Sequence, residues 1–144
     1  MKKIYVKRPM KKIYVDIVGD LFHLGHVNLF KKARALGDYL IVGVHSDEDV
    51  ESYKRKPVLS LEERSKVIRS CKYVDEVVTA APLVVTVDFL HEYDISYVVH
   101  GDDVNEEVKR QHKIPYELGM VKYVPYTEGI STTEIIERIK NGNY

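Results

Sequence analysis

The sequence predicts an α/β fold: a single open parallel sheet with helices on both faces. Three observations carry this reading. Short apolar runs alternate with helical stripes and capping signals from Ile13 to the C-terminal region. The run Tyr39-Leu40-Ile41-Val42-Gly43-Val44 lacks polar alternation, as expected of a strand covered on both sides. The stretch Gly19-Asp20-Leu21-Phe22-His23-Leu24-Gly25-His26 lies between an apolar run and a helical pattern, where open parallel sheets bind their ligands.

Each element has its own signal. Ile13–Val18 reads as the first strand, and the helix beginning near His26 carries His26, Leu29, Phe30, Ala33 and Leu36 at helical spacing. Gly37 is expected to close that helix as a C-cap. Residues 39–44 form the second strand, so strand, helix and strand make a right-handed βαβ unit. Ser46-Asp47-Glu48 opens a short helix before the basic Tyr53-Lys54-Arg55-Lys56-Pro57. Ser60-Leu61-Glu62-Glu63 is a capping box whose helix continues through Val67, Ile68 and Cys71. Glu76–Thr79, Ser96–His100 and Val121–Val124 read as strands, Phe89 and Leu90 mark a helix, and Ser131-Thr132-Thr133-Glu134 opens the last one.

With 144 residues the chain can build one core but not two ordinary domains. Its 22 basic and 22 acidic residues cancel, so no overall field favours nucleic acid. The single cysteine, Cys71, excludes an internal disulfide and fits a reducing compartment. No apolar run approaches the roughly 20 residues that span a bilayer, and no signal-peptide core is visible. A cytoplasmic protein without a membrane segment is expected. Lys2-Lys3-Ile4-Tyr5-Val6 recurs as Lys11-Lys12-Ile13-Tyr14-Val15, and Met10 can itself start a domain. Residues 1–9 are therefore read as an extension or expression artefact, with a small extra strand as the alternative, and residues 10–144 as the functional domain.

The turn at 19–26 has the makings of an anion site, because helix N-termini present unpaired N–H groups and a positive dipole end. His23 and His26, three residues apart, can converge on the same anion and donate to phosphate oxygens. Thr127-Glu128-Gly129-Ile130-Ser131-Thr132 offers hydroxyls and N–H groups at a second helix start.

Asp20-x-x-His23-x-Gly25-His26 resembles the HxGH signature of the nucleotidyltransferase superfamily. Together with Gly37–Glu48 and Ile130-Ser131-Thr132-Thr133, the chain from about Lys12 to Ile139 is similar to cytidylyltransferases that make CDP-ethanolamine, CDP-choline and CDP-glycerol. The resemblance implies a Rossmann-like nucleotidyltransferase catalytic domain. It implies transfer of CMP from CTP to a small phosphorylated alcohol, without a covalent intermediate and with release of pyrophosphate. Such chemistry needs alignment and charge compensation rather than a nucleophilic side chain. Phosphoethanolamine is preferred because Ala80-Ala81-Pro82 and Val99-His100-Gly101-Asp102 look most like that branch. Phosphocholine and glycerol 3-phosphate remain open.

The resemblance also assigns residues. His23 and His26 are the expected phosphate donors, and Lys54 stands where a catalytic lysine spans the two reacting phosphates. The turn residues Val18, Gly19 and Gly25 face the nucleotide, and Lys72 matches a basic position near its phosphates. Asp102 and Asp103 are placed to accept from the cytosine amino group or ribose, a helix-cap role for Asp103 being equally open. Tyr126, Thr127, Gly129, Ile130, Ser131 and Thr132 form the second cradle, and Asp20 holds the turn or meets the acceptor. No protein metal ligand is assigned; Mg²⁺ is expected to arrive on the triphosphate. A homodimer is implied, and the chain is expected to lack the amphipathic tail of some relatives.

Two positions depart from the family pattern. Tyr126 stands where the last motif usually begins with Arg, which replaces a guanidinium with a phenol. Ile17-Val18-Gly19-Asp20 replaces the usual Gly-x-Phe/Tyr-Asp. An ATP-dependent adenylyltransferase and a non-catalytic nucleotide-binding module are the alternatives these leave.

Overall fold

The predicted strands pair in one sheet, all parallel, in the order 76–79, 39–44, 12–17, 97–101 and 121–124. The structure, a computed structural model, describes residues 9–142. The reading of residues 1–9 therefore lies outside the described residues, except at Pro9. The strands are β1 (Lys12–Ile17), β2 (Tyr39–Val44), β3 (Glu76–Thr79), β4 (Tyr97–Gly101) and β5 (Val121–Val124). The helices are α1 (Leu24–Arg34), α2 (Asp47–Glu51), α3 (Leu61–Arg69), α4 (Val87–Glu92), α5 (Glu106–Gln111), α6 (Lys113–Glu117) and α7 (Thr132–Asn141). The chain fills one half of the sheet outward from β1, then returns to fill the other half from β4. The reversal between β1 and β4 opens a crevice at their carboxyl ends.

Side-chain alternation divides the core. Ile13, Val15, Leu40, Val42 and Val44 pack on one face with Phe30 and Ala33 of α1 and Ile68 of α3. Tyr14, Ile41 and Val98 face the other way, against Phe89 and Leu90 of α4. Gly43 sits in the middle of β2 because a Cβ there would collide with the Tyr14 phenol. Tyr14 is fully buried and meets Phe89 edge-on at 4.9 Å.

Several local expectations need correction. Helix α1 starts at Leu24 with His23 as its N-cap, earlier than the apolar stripe suggested, because the imidazoles themselves cap it. Gly37 is not its C-cap: Ala35, in ordinary helical geometry, ends the helix. A side chain at 37 would instead strike Ile13 and the Lys11 carbonyl. Cys71 lies beyond α3 and packs against the core. Helices α5 and α6 were not anticipated.

Candidate active site

The cleft at the carboxyl ends of the strands has a volume of about 440 Å³. One wall is the His23–His26 turn. His23 caps α1 by accepting the Gly25 N–H on Nδ1 at 3.0 Å, and His26 accepts the His23 N–H on its own Nδ1 at 3.1 Å. An imidazole nitrogen that accepts cannot carry the proton, so both rings bear it on Nε2. The ring centroids are 3.9 Å apart, so two N–H donors share one wall. Burial, then the neighbouring charges of His23 and Lys54, lower the His26 pKa to about 3; burial lowers that of His23. Both shifts favour the neutral form of the rings, each with its proton on Nε2. Two of the turn's N–H groups are consumed by the rings that were expected to stand beside them.

The opposite wall is the start of α7. Ser131 Oγ accepts the Glu134 N–H at 3.1 Å, half of the expected capping box, which leaves the N–H groups of Thr132 and Thr133 at the cleft mouth. Thr132 Oγ1 donates to the Asp20 carbonyl at 2.8 Å, and Asn28 of α1 donates to Thr127 Oγ1 at 3.2 Å, so the two helix starts are laced together. Gly129, with φ +83, shapes this loop without lining the cleft. Tyr126 lines its rim, 44% exposed.

Lys54 enters from the loop after α2, with Arg55 beside it. Its ammonium has no ion-pair partner among the described residues. The cleft walls partly desolvate it and Arg55 repels it, so its pKa falls despite the pull of Asp20 and Asp103. A cation held without a partner is ready for an anionic ligand.

Asp20 lines the cleft and ties down its frame. Its carboxylate accepts the N–H groups of Val58 and Leu59 at 2.8 and 3.0 Å, and it is 3% exposed. The Gly19 departure is explained by φ +69 at that position, with Ile68 where a Cβ would stand. Arg64, which the sequence did not single out, is fully buried and donates to the carbonyls of Val18, His45 and Leu59 at 2.6, 2.9 and 3.1 Å, and to Asp47. This guanidinium fixes the ends of β1 and β2.

Besides Gly129, two more expected nucleotide contacts, Lys72 and Asp102, are not in the cleft lining. Lys72 follows α3 on the way into β3, at the amino ends of the strands, and lies over the Tyr73 ring at 5.2 Å. Asp102 spends its carboxylate on the Tyr126 N–H at 2.9 Å. Val18, Gly19, Gly25, Asp103, Thr127, Ile130, Ser131 and Thr132 do line it.

The floor was missed entirely. Asp16, at the end of β1, accepts from or shares a proton with His112 Nε2 at 2.7 Å, and His45 Nε2 lies 3.6 Å from its other oxygen. Burial alone would raise the Asp16 pKa. The His112 charge and hydrogen bond, with His45 behind them, outweigh it and hold the carboxyl well below the usual range.

A family model described as cytidylyltransferase-like matches residues 20–138. The chain belongs to the cytidylyltransferase-like family. It is 50% identical over 135 residues to the ethanolamine-phosphate cytidylyltransferase of Dictyostelium discoideum, covering 90% of this chain and 38% of that protein. It is 40% identical over 143 residues to the Arabidopsis thaliana enzyme of the same name, covering 95% of this chain and 34% of that one. Choline-phosphate cytidylyltransferase A of Rattus norvegicus is 40% identical over 144 residues, with 92% and 37% covered. The chain thus spans little more than a third of the length of these curated relatives. Among solved structures, a lipopolysaccharide core biosynthesis protein from Thermoplasma volcanium GSS1 superposes with a TM-score of 0.67 at 27% identity. That match covers 85% of this chain and all of the other.

Proposed function

We propose that this cytidylyltransferase-like domain transfers CMP from CTP to phosphoethanolamine, a step of phospholipid-precursor synthesis. The observation that carries the proposal is the tautomer of His23 and His26. Each ring is locked by the main chain with its remaining N–H on the wall of a cleft that also presents a helix start and an unpaired lysine.

In this reading an oxygen of the acceptor phosphate attacks the α-phosphorus of CTP in line. The bond from the α-phosphorus to the bridging oxygen breaks, and pyrophosphate leaves with that electron pair. The Nε2–H groups of His23 and His26 donate to phosphate oxygens as charge gathers there. The Thr132 and Thr133 N–H groups hold the outer phosphates, and Lys54 draws the two anions together. Asp103 remains for the nucleoside. Asp16 sits below, its Oδ2 without a hydrogen-bond partner, as the counter-charge for the acceptor's ammonium.

Among the described residues no three His, Cys, Asp or Glu side chains are grouped as a metal cage. In this reading Mg²⁺ would be held mainly by the triphosphate oxygens rather than by a dedicated protein cage. Bound there, Mg²⁺ supplies charge neutralisation on the triphosphate. A cytoplasmic setting and a homodimer complete the proposal; no helix among the described residues is long and apolar enough to cross a membrane.

The test is pyrophosphate release with Mg²⁺, CTP or ATP, and a panel of phosphorylated alcohols. Release with CTP and phosphoethanolamine is expected. Release only with ATP, or nucleotide binding without turnover in every combination, overturns it, and the exposed Tyr126 at the rim makes both outcomes worth measuring.

A further inference from the structure

His45 ends β2 with its backbone tied on both sides: its N–H donates to the Ile17 carbonyl at 3.1 Å, and its carbonyl accepts from Arg64 at 2.9 Å. The ring is 2% exposed, lines the cleft floor, and has no hydrogen-bond partner among the described residues for either nitrogen. Asp16 Oδ2, 3.6 Å from His45 Nε2, is likewise unpartnered, while Asp16 Oδ1 is engaged by His112. Buried polar atoms are almost always satisfied, and at 3.6 Å His45 Nε2 and Asp16 Oδ2 face each other just beyond hydrogen-bond distance, so a ligand's donors inserted at the foot of the cleft, with the His45 proton on Nδ1, would satisfy both. One nitrogen can reach both at ordinary distances of about 2.9 Å.

We infer that His45 is a specificity-determining residue: with Asp16 Oδ2 it accepts hydrogen bonds from a primary ammonium on the phosphorylated acceptor, and so rejects a quaternary one. This rests on the cytidylyl-transfer reading and deepens it. A primary ammonium carries three N–H donors. A trimethylammonium carries none and leaves His45 and Asp16 desolvated and unpaired. Sites built to hydrogen-bond a substrate group discriminate strongly against analogues lacking it.

The experiment is a kcat/KM series for the full chain with CTP and phosphoethanolamine bearing zero, one, two or three N-methyl groups. Wild type is expected to lose at least about 100-fold across the series, the loss falling mainly on acceptor KM. His45→Leu should compress that ratio to below about 10-fold, chiefly by losing phosphoethanolamine, and His45→Gln, which restores an acceptor, should recover part of it. Thermal melts identify any variant that fails to fold; the wild-type series and the remaining variant then decide. A flat wild-type series, or an unchanged ratio in a folded His45 variant, overturns the inference and leaves cytidylyl transfer standing. No pyrophosphate from wild type with any acceptor overturns both.

Discussion

His26 Nδ1 takes the backbone N–H of His23, and this bond sets the chemistry of both residues at once. It caps the helix and decides which ring nitrogen keeps its proton. Capping and donation are therefore separable by substitution. His23→Asn, which keeps a good N-cap, should retain wild-type melting behaviour while losing about 100- to 1,000-fold in turnover. His26→Ala should lose turnover to a similar degree and also about 1 kcal/mol of stability. Near-normal turnover in either variant removes that ring from the reaction.

Acid should weaken the fold before the ordinary carboxylates titrate. The folded pKa of His26 is about 3, against roughly 6.5 for a solvated imidazole. The unfolded chain binds that proton first, so stability is complete above about pH 6.5 and declines toward pH 3 by at most about 1.4 kcal/mol per unit. His23 acts in the same direction. Asp16, also lowered, adds its loss only below about pH 4. Urea midpoints should fall between pH 7 and 5, and less so in His26→Gln. A flat wild-type profile over that range contradicts the assignment.

Lys54→Met should reduce kcat by about 100-fold or more, because a positioned cation beside the reacting phosphates is lost. Its melting temperature should match or exceed wild type, since the cleft disfavours the free ammonium. A destabilised variant with normal kcat would mark Lys54 as a structural residue.

Arg64→Met leaves the carbonyls of Val18 and His45 without their donor and Asp47 without its partner. A loss of about 3–5 kcal/mol in chemical denaturation is expected, and Arg64→Lys should recover little because an ammonium cannot reproduce the fork. Stability within about 0.5 kcal/mol of wild type would contradict this account of the buried guanidinium.

Asp20→Asn should lower stability by about 1–3 kcal/mol, as two charge-assisted bonds to Val58 and Leu59 are weakened. The acceptor KM should stay close to wild type. A selective rise in that KM would return Asp20 to the acceptor.

Much of the frame was legible because its causes are local. Glu76–Thr79 and Val121–Val124 match their strands residue for residue, and the Ser60–Glu63 box forms as read. Helices α5 and α6 escaped because 106–117 is polar and interrupted by Pro115, which the first turn of α6 tolerates. Lys72 was misplaced because matching a basic position along the chain does not say which end of the sheet a loop occupies, whereas Asp102 does stand at the cleft end of β4 and was misread because its bond to the Tyr126 N–H joins two distant loops. The Asp16–His45–His112 floor was invisible for a related reason. Alternation puts Asp16 and His45 on the same face only once Ile17 is known to pair with Val44, and His112 arrives from 96 residues away.

His23 and His26 ride on α1, whereas the floor beneath belongs to the α4–α6 side of the sheet. Under the proposed function, substitutions on the α4–α6 side can therefore retune which alcohol is taken while leaving the imidazole wall undisturbed.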